Sequence, residues 1–389
     1  MYQALYRKWR PMSFDDVVSQ PHITTTLKNQ IKSGKTAHAY LFTGSRGTGK
    51  TTCARIFAKA INCLDPHDGE PCLECEICKD ADNGTLSDII EIDAASNSKV
   101  DDIRELREGV VYTPERCKYK VYIIDEVHML SAGAFNALLK TMEEPPPHVK
   151  FILATTEIHK VPATIVSRCQ HFDFHRIRNE DIVSRLMYIA SQEGFTLHED
   201  AAGMIARLSD GGMRDALSLL DQCVAYENDI TLDVVSSASG IAGRDYLFDI
   251  LEKIAEKDAA GALRVVDKLY DMSKDLKVLA GELLAQMRNV MIIKTIDNNK
   301  DLITCLPDEY ERLKALAERM KLDEILGDIN TLQECSERFA KSTSKRIELE
   351  MCIIKLCGAA QKAGATVQAV SGNAEITVLL NRITQLENA

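Results

Sequence analysis

AYLFTGSRGTGKTTCARIFAKAIN, residues 39–62, decides how this chain is read. An apolar run ends in GSRGTGKT, Gly44 to Thr51, which fits the G-x-x-x-x-G-K-[ST] phosphate loop, and an amphipathic helical stretch follows. Gly44, Gly47 and Gly49 permit the backbone angles that turn successive N–H groups towards phosphates at a helix amino terminus. Lys50 is expected to reach the β and γ phosphates of ATP, and Thr51 to ligate Mg²⁺. The expected nucleotide-binding set is Gly44, Ser45, Arg46, Gly47, Thr48, Gly49, Lys50, Thr51 and Thr52.

Outward from the loop, KVYIIDEVHML at 120–130 places apolar strand residues before Asp125 and Glu126. Asp125 is expected to hold Mg²⁺ through water, and Glu126 to orient and deprotonate the attacking water. Adjacent acids at a strand end are often only a solvated loop; the phosphate loop upstream gives this pair its reading. Phosphoryl transfer passes through a charge-rich transition state, so a polar sensor and further cations belong nearby. FILATTE at 151–157 offers Thr155, VSRCQHFDF at 166–174 offers Arg168, and GGMRDALSLL at 211–220 offers Arg214. Taken singly, a strand-end threonine is more often a cap or turn former, and a lone arginine a surface cation.

The pattern around these motifs predicts α/β plus all-α architecture. AYLFTG (39–44), DIIEID (88–93), KVYIIDE (120–126) and KFILATT (150–156) read as buried parallel strands separated by crossover helices, with a further extended run after Arg168. From about 176 strands are expected to stop. RNEDIVSRLMYIASQEG and LHEDAAGMIARLSDGGMRDALSLLDQCVAY carry apolar residues at three- and four-residue spacing, with acidic starts and glycine stops. SSASGIAG at 236–243 marks a break before a third, all-helical region. The domains are thus expected at 1–175, 176–240 and 241–359. Residues 360–389 read as a flexible linker and the start of a further segment. Ile376, Leu379, Ile383 and Leu386 fall at heptad-like spacing, either a short partner-binding helix or, the reading preferred, the start of something longer that has been cut.

The 389 residues suffice for several domains with ample core. MYQALYRKWRP has no signal-type apolar run, and no stretch approaches the roughly 18 apolar residues of a membrane span, so the expected location is cytoplasmic. A formal net charge of −11 argues against a free-standing nonspecific nucleic-acid binder. Eight of the twelve cysteines are scattered and read as buried small apolar residues. The other four, Cys63, Cys72, Cys75 and Cys78, follow C-x8-C-x2-C-x2-C, four thiolates for a tetrahedral Zn²⁺ at about 2.3 Å per bond. Iron–sulfur motifs share C-x2-C-x2-C, but here the fourth ligand lies upstream and no C-P follows. All-cysteine ligation leaves no position for water, so the expected role is structural: pinning an insertion that leaves the core and must return to the strand at Ile89.

YRKWRPMSFDDVVSQ, the phosphate loop, the four-cysteine insertion, DEVHMLS, LLKTMEEPP, FILATTE, SRCQHFDF and GGMRDALS occur in this order. The set resembles AAA+ clamp loaders, the bacterial DNA polymerase III gamma/tau family in particular. It covers residues 1 to about 240 closely and the helical region to about 360 more loosely. The resemblance implies an AAA+ P-loop NTPase core, a helical lid and a helical collar for oligomerisation, and it also specifies zinc at the cysteines. It further implies a pentamer in which such motor subunits sit with other copies of themselves and with delta and delta-prime subunits. ATP would close that assembly on the sliding clamp (beta) and open it; primer-template DNA would trigger hydrolysis. By the family pattern Arg168 is a finger reaching a neighbour's site, Arg214 the sensor 2 residue and Thr155 the sensor 1 residue. Arg10 and Pro11 match a stretch lining the adenine pocket, although Trp9 and its neighbours equally suit an ordinary hydrophobic lid. DIIEIDAASNSKVDDIRELRE resembles a strand and helix facing DNA, which makes Ser96, Asn97 and Lys99 candidate phosphate contacts or a plain helix start. Polymerase core and replicative helicase are implied partners of a further carboxy-terminal region.

Two other classes of function have some footing in the sequence. DEVH resembles the DExH form found in helicases, but translocating helicases of that type need a second RecA-like domain or a hexameric ring, and this chain has helices where a second α/β domain would be. A non-catalytic scaffold is the reading for a decayed phosphate loop, whereas this one keeps Gly49, Lys50 and Thr51. No polymerase domain is visible, so any DNA-directed DNA polymerase classification would belong to a holoenzyme.

Overall fold

The computed structural model of the protein describes residues 3–96, 106, 108–240, 245–297, 299, 302, 303, 305, 307–339, 342 and 344–358. They form two compact units, Met1–Ser239 and Gly240–Ala389. The expected linker at 360–389 lies outside the described residues.

The first unit is built on a five-stranded sheet: β1 Ala39–Gly44, β2 Ile89–Asp93, β3 Lys120–Asp125, β4 Val149–Thr155 and β5 Gln170–Phe174, in spatial order β2-β3-β4-β1-β5. Every pairing is parallel. β1 and β4 are buried almost throughout, which is why their sequences are continuous apolar runs rather than alternating ones. On one face Phe42, Phe57, Ile23 and Leu27 bury the helices Pro21–Ser33 and Lys50–Asn62. On the other, Tyr122, Phe151 and Leu153 pack under Phe135 and Leu138 of the helix Ala132–Glu143. Each large apolar side chain so buried contributes on the order of 1.5–3 kcal/mol. β2, at the edge, keeps both isoleucines of its centre half-exposed. All four expected strands are present, and the run after Arg168 is the fifth.

The lid follows as helices Asn179–Glu193, Glu199–Leu208, Met213–Tyr226 and Leu232–Ala238. The expectation that strands stop at 176 needs correction, because Thr196–Leu197 pairs in parallel with Asp229–Ile230. Two residues a side are too few to leave a period-two signal in the sequence. The lid is tied to the core by Gln20, which donates to the His175 carbonyl (2.7 Å) and accepts the His175 N–H (3.2 Å).

The second unit is helical, with Asp245–Ala255, Ala259–Asp271, Leu276–Thr295, Pro307–Arg319, Leu322–Arg338 and Lys345–Leu356 around one apolar cluster. Asp258, Asp275 and Ser344 cap their helices by accepting first-turn N–H groups. Among the described residues, no helix is long and apolar enough to cross a membrane.

Asp328 is the exception inside this helical core: it is 8% exposed and its Oδ2 has no hydrogen-bond partner. Burial raises its carboxyl to about 6 from an ordinary 3.8, with Lys257 opposing and Glu324 reinforcing the shift. A carboxyl raised in the folded form binds protons more tightly there, so stability falls as pH rises from the unfolded value through about 6. Asp328→Asn is therefore expected to stabilise this unit by roughly 1–2 kcal/mol at neutral pH. The gain should vanish towards pH 4, which urea unfolding of wild type and variant at the two pH values checks.

Candidate functional site

The parallel register places the carboxy-terminal ends of β1, β3 and β4 side by side. Thr43 stands opposite Thr155, and Ile124 opposite Leu153. The phosphate loop leaves β1 at Gly44 with φ +133°, and a Cβ there would stand 2.3 Å from the Phe174 carbonyl oxygen. The loop turns into the helix Lys50–Asn62 through Gly49. Lys50 is 6% exposed and its ammonium donates to the carbonyls of Gly44 (2.9 Å) and Ser45 (2.7 Å). Burial lowers its pKa, while Glu126 and Asp125 push the other way. The Thr48 hydroxyl is folded back on the Ser45 carbonyl at 2.8 Å.

Thr51 Oγ1 donates to Asp125 Oδ2 at 2.7 Å. A hydroxyl and a carboxylate so close at a strand end are hard oxygen donors suited to Mg²⁺. Glu126 follows with φ +47°, a left-handed conformation uncommon for a residue with a side chain and usual only where the surroundings enforce it. Its Oε2 accepts from the Thr156 N–H (3.3 Å) and the Thr156 hydroxyl (3.0 Å).

Thr155, expected to present its hydroxyl to the reaction, is placed differently. It is fully buried, and its oxygen bonds His128 Nδ1 (3.0 Å) and the Glu157 N–H (3.0 Å). The hydroxyl bonded to Glu126 at the strand end is that of Thr156, one residue on, beyond the end of β4. Thr156 and His128 were the functional candidates that the sequence reading missed. The doubled threonine of ATTE and the histidine of DEVH were the signals.

The amino-terminal segment closes one side. Arg10 Nε donates to Thr52 Oγ1 at 3.2 Å, and Trp9 Nε1 donates to Glu193 of the lid at 2.6 Å. Burial lowers the Arg10 pKa. Pro11 is half-buried beside it. From the lid, the helix Met213–Tyr226 starts directly on the phosphate loop, with the Met213 N–H bonded to the Gly47 carbonyl at 3.0 Å. A Cβ on Gly47 would meet Gly212 Cα at 3.0 Å, so bare backbone is what lets the two approach. Arg46 on the loop stands 4.0 Å from Asp215 on the helix. Arg214 is exposed, with its guanidinium 5.1 Å from the Tyr6 ring centroid.

Arg168 is not brought to this cluster. It precedes β5, whose Phe174 is the residue opposite Gly44, so it lies at the other rim of the sheet. There it pairs with Glu143 at 2.9 Å and with the Thr164 carbonyl at 2.7 Å. Of the candidate DNA contacts, Ser96 bonds back to Asp93 Oδ2 at 3.2 Å, while Asn97 and Lys99 lie outside the described residues.

The four cysteines converge. Their sulfurs lie within 4.8 Å of one another, with Cys63–Cys75 and Cys72–Cys78 at 4.0 Å and Cys63–Cys78 at 3.6 Å. Four thiolates bound tetrahedrally at 2.3 Å would stand about 3.8 Å apart, so the set fits zinc. Backbone N–H groups of Cys72, Cys75 and Cys78 point at the sulfurs of Cys63, Cys72 and Cys75 at 3.3–3.4 Å. For Cys72, burial is outweighed by the N–H groups of Cys75 and Glu74, and its thiol is pulled down to about 6. The module is seated by Glu70, which accepts the Phe14 N–H at 2.8 Å, and by Gly69, packed on the Lys28 backbone.

Three family models match in succession. One described as DNA polymerase III, delta subunit, matches residues 19–178. The clamp loader subunit ATPase lid domain model matches 181–229, and gamma and tau domain III matches 230–368. The chain is 43% identical over 387 residues to DNA polymerase III subunit tau of Bacillus subtilis, covering 99% of this chain and 68% of that one. It is 40% identical to DNA polymerase III subunit gamma of Buchnera aphidicola from Schizaphis graminum, over 82% of this chain and 87% of that one. With subunit tau of Escherichia coli the identity is 42% over 75% of this chain and 46% of that one. Among solved structures, the Thermotoga maritima RuvB Holliday junction branch migration motor aligns at TM-score 0.47 and 20% identity, over 64% of this chain and 80% of that one.

Cys75→Ser should abolish stoichiometric zinc and lower the thermal midpoint by at least 2–4 °C, about 1 kcal/mol for a unit of this size. Metal analysis and a melting curve on the purified chain check both.

Proposed function

Because this chain belongs to the gamma/tau family of DNA polymerase III clamp-loader subunits, we propose that it is the ATP-driven motor of a clamp loader. ATP binding and hydrolysis would open a sliding clamp and place it on primer-template DNA in the cytoplasm. The observation that carries this reading is the juxtaposition at one strand-end rim of Lys50, the Thr51–Asp125 pair and the Glu126–Thr156 pair.

In this reading the N–H groups of residues 45–51 and the Lys50 ammonium hold the β and γ phosphates of ATP. Magnesium held by Thr51 and Asp125 would neutralise charge on those phosphates. Glu126 takes the proton of the attacking water, and Thr156 keeps its carboxylate turned towards that water. Arg10 and Pro11 border the base. Arg214, at the start of a helix that touches the loop, is the cation next to the γ phosphate. Arg168 faces outward at the opposite rim, which suits a finger offered to a neighbouring subunit's nucleotide. Partners under this proposal are further copies of the chain, delta, delta-prime, the clamp and primed DNA. The chain spans 68%, 87% and 46% of the three relatives' lengths, and polymerase core and helicase contacts would fall to the segments those relatives carry beyond it.

The test is reconstitution with delta, delta-prime, clamp and primed DNA. Lys50→Ala should reduce ATP turnover to background. Arg168→Ala should still bind ATP but lose stimulated turnover, by up to 10³–10⁵-fold if the finger acts as in comparable phosphoryl-transfer enzymes. Full stimulated turnover by an all-Arg168→Ala complex would refute the assignment in trans.

A further inference from the structure

His128 has no part in the function proposed above, yet it stands at the centre of the strand-end cluster. Its side chain is 7% exposed. Nδ1 lies 3.0 Å from Thr155 Oγ1 and 3.4 Å from Glu126 Oε2, and Nε2 lies 3.4 Å from Glu157 Oε1. Lys160 holds the Glu157 carboxyl below the usual carboxylate range, so it is an acceptor. With the ring hydrogen assigned on that basis to Nε2, facing Glu157, Nδ1 accepts the Thr155 hydroxyl hydrogen. Thr155 Oγ1 in turn accepts the Glu157 N–H. These contacts close a loop from Glu157 through the imidazole and Thr155 back to Glu157. Thr156 lies inside the closed segment, and both its donors reach Glu126 Oε2.

We propose that His128 is a positioning residue for ATP hydrolysis: it clamps the turn at 155–157, so that Thr156 fixes one oxygen of Glu126 and turns the other to the attacking water. The inference rests on the ATPase reading of this site. Two features call for such a clamp. Glu126 occupies a left-handed backbone conformation that its neighbours must enforce. Thr155 is fully buried, and removing the imidazole leaves its hydroxyl without a side-chain partner.

The experiment uses the complex reconstituted with delta, delta-prime, clamp and primed DNA, and measures stimulated ATP turnover, KM for ATP and affinity for a fluorescent ATP analogue. His128→Ala is expected to lower kcat about 10- to 100-fold, the usual effect of losing an orienting partner, with KM and analogue affinity unchanged. His128→Asn, whose amide occupies the Nδ1 position, is expected to recover part of the loss and guards against a misfolded alanine variant. Because His128 acts through Thr156, adding Thr156→Val to His128→Ala should lower kcat no further. Wild-type kcat in both His128 variants overturns the inference while leaving the ATPase reading intact, as does a multiplicative loss in the double variant. Absence of ATP turnover in wild type, or turnover unaffected by Lys50→Ala, overturns the ATPase reading and the inference with it.

Discussion

One register of parallel strands underlies everything else in the first unit. Pairing Thr43 with Thr155 and Ile124 with Leu153 fixes where β1, β4 and β3 stop relative to one another. Groups separated by up to 74 residues in sequence therefore meet within hydrogen-bond distance: Thr51 with Asp125, and Glu126 with Thr156. A slip of one residue in a parallel ladder would turn the adjacent side chain to the other face and separate these pairs. The aliphatic and aromatic packing on both faces of the sheet thus stabilises a chemical geometry as well as a fold.

Much of this was legible in the sequence, for reasons that differ by element. Buried parallel strands are continuous apolar runs, so β1, β3 and β4 stand out without any alignment. The phosphate loop and its helix are read from spacing alone, because glycine and lysine are there for backbone and charge rather than for packing. The cysteine cluster was legible for the same reason. Strand order was not, since pairing in a parallel sheet leaves no local trace. The two-residue pair Thr196–Leu197 and Asp229–Ile230 was too short to see. Thr155 and Thr156 differ by one position, yet one is sealed in the core and the other reaches Glu126; only the point at which β4 ends decides between them.

The cysteine module answers a topological difficulty. Between the helix Lys50–Asn62 and β2 the chain makes an excursion with few large apolar side chains of its own, too few to fold independently. Tetrahedral ligation of a metal by the four converging cysteines would supply the missing cohesion. Glu70 and Gly69 seat the module on Phe14 and Lys28, and Asn62 joins Tyr119 by bonds in both directions, 3.0 and 2.8 Å. The excursion therefore leaves and rejoins the sheet at defined points, and β2 starts where the edge of the sheet needs it.

The amide of Met213 on the carbonyl of Gly47 makes the first turn of a 14-residue lid helix part of the phosphate loop. A helix of that length extends about 21 Å. It is anchored close by, where Gln20 grips His175 and the Ile177 N–H meets the Gly211 carbonyl at 3.1 Å. A rod held near one end and pushed there behaves as a lever with a short input arm. Sub-ångström adjustments around a phosphate would emerge at its far tip as displacements several times larger, giving a small chemical event mechanical reach.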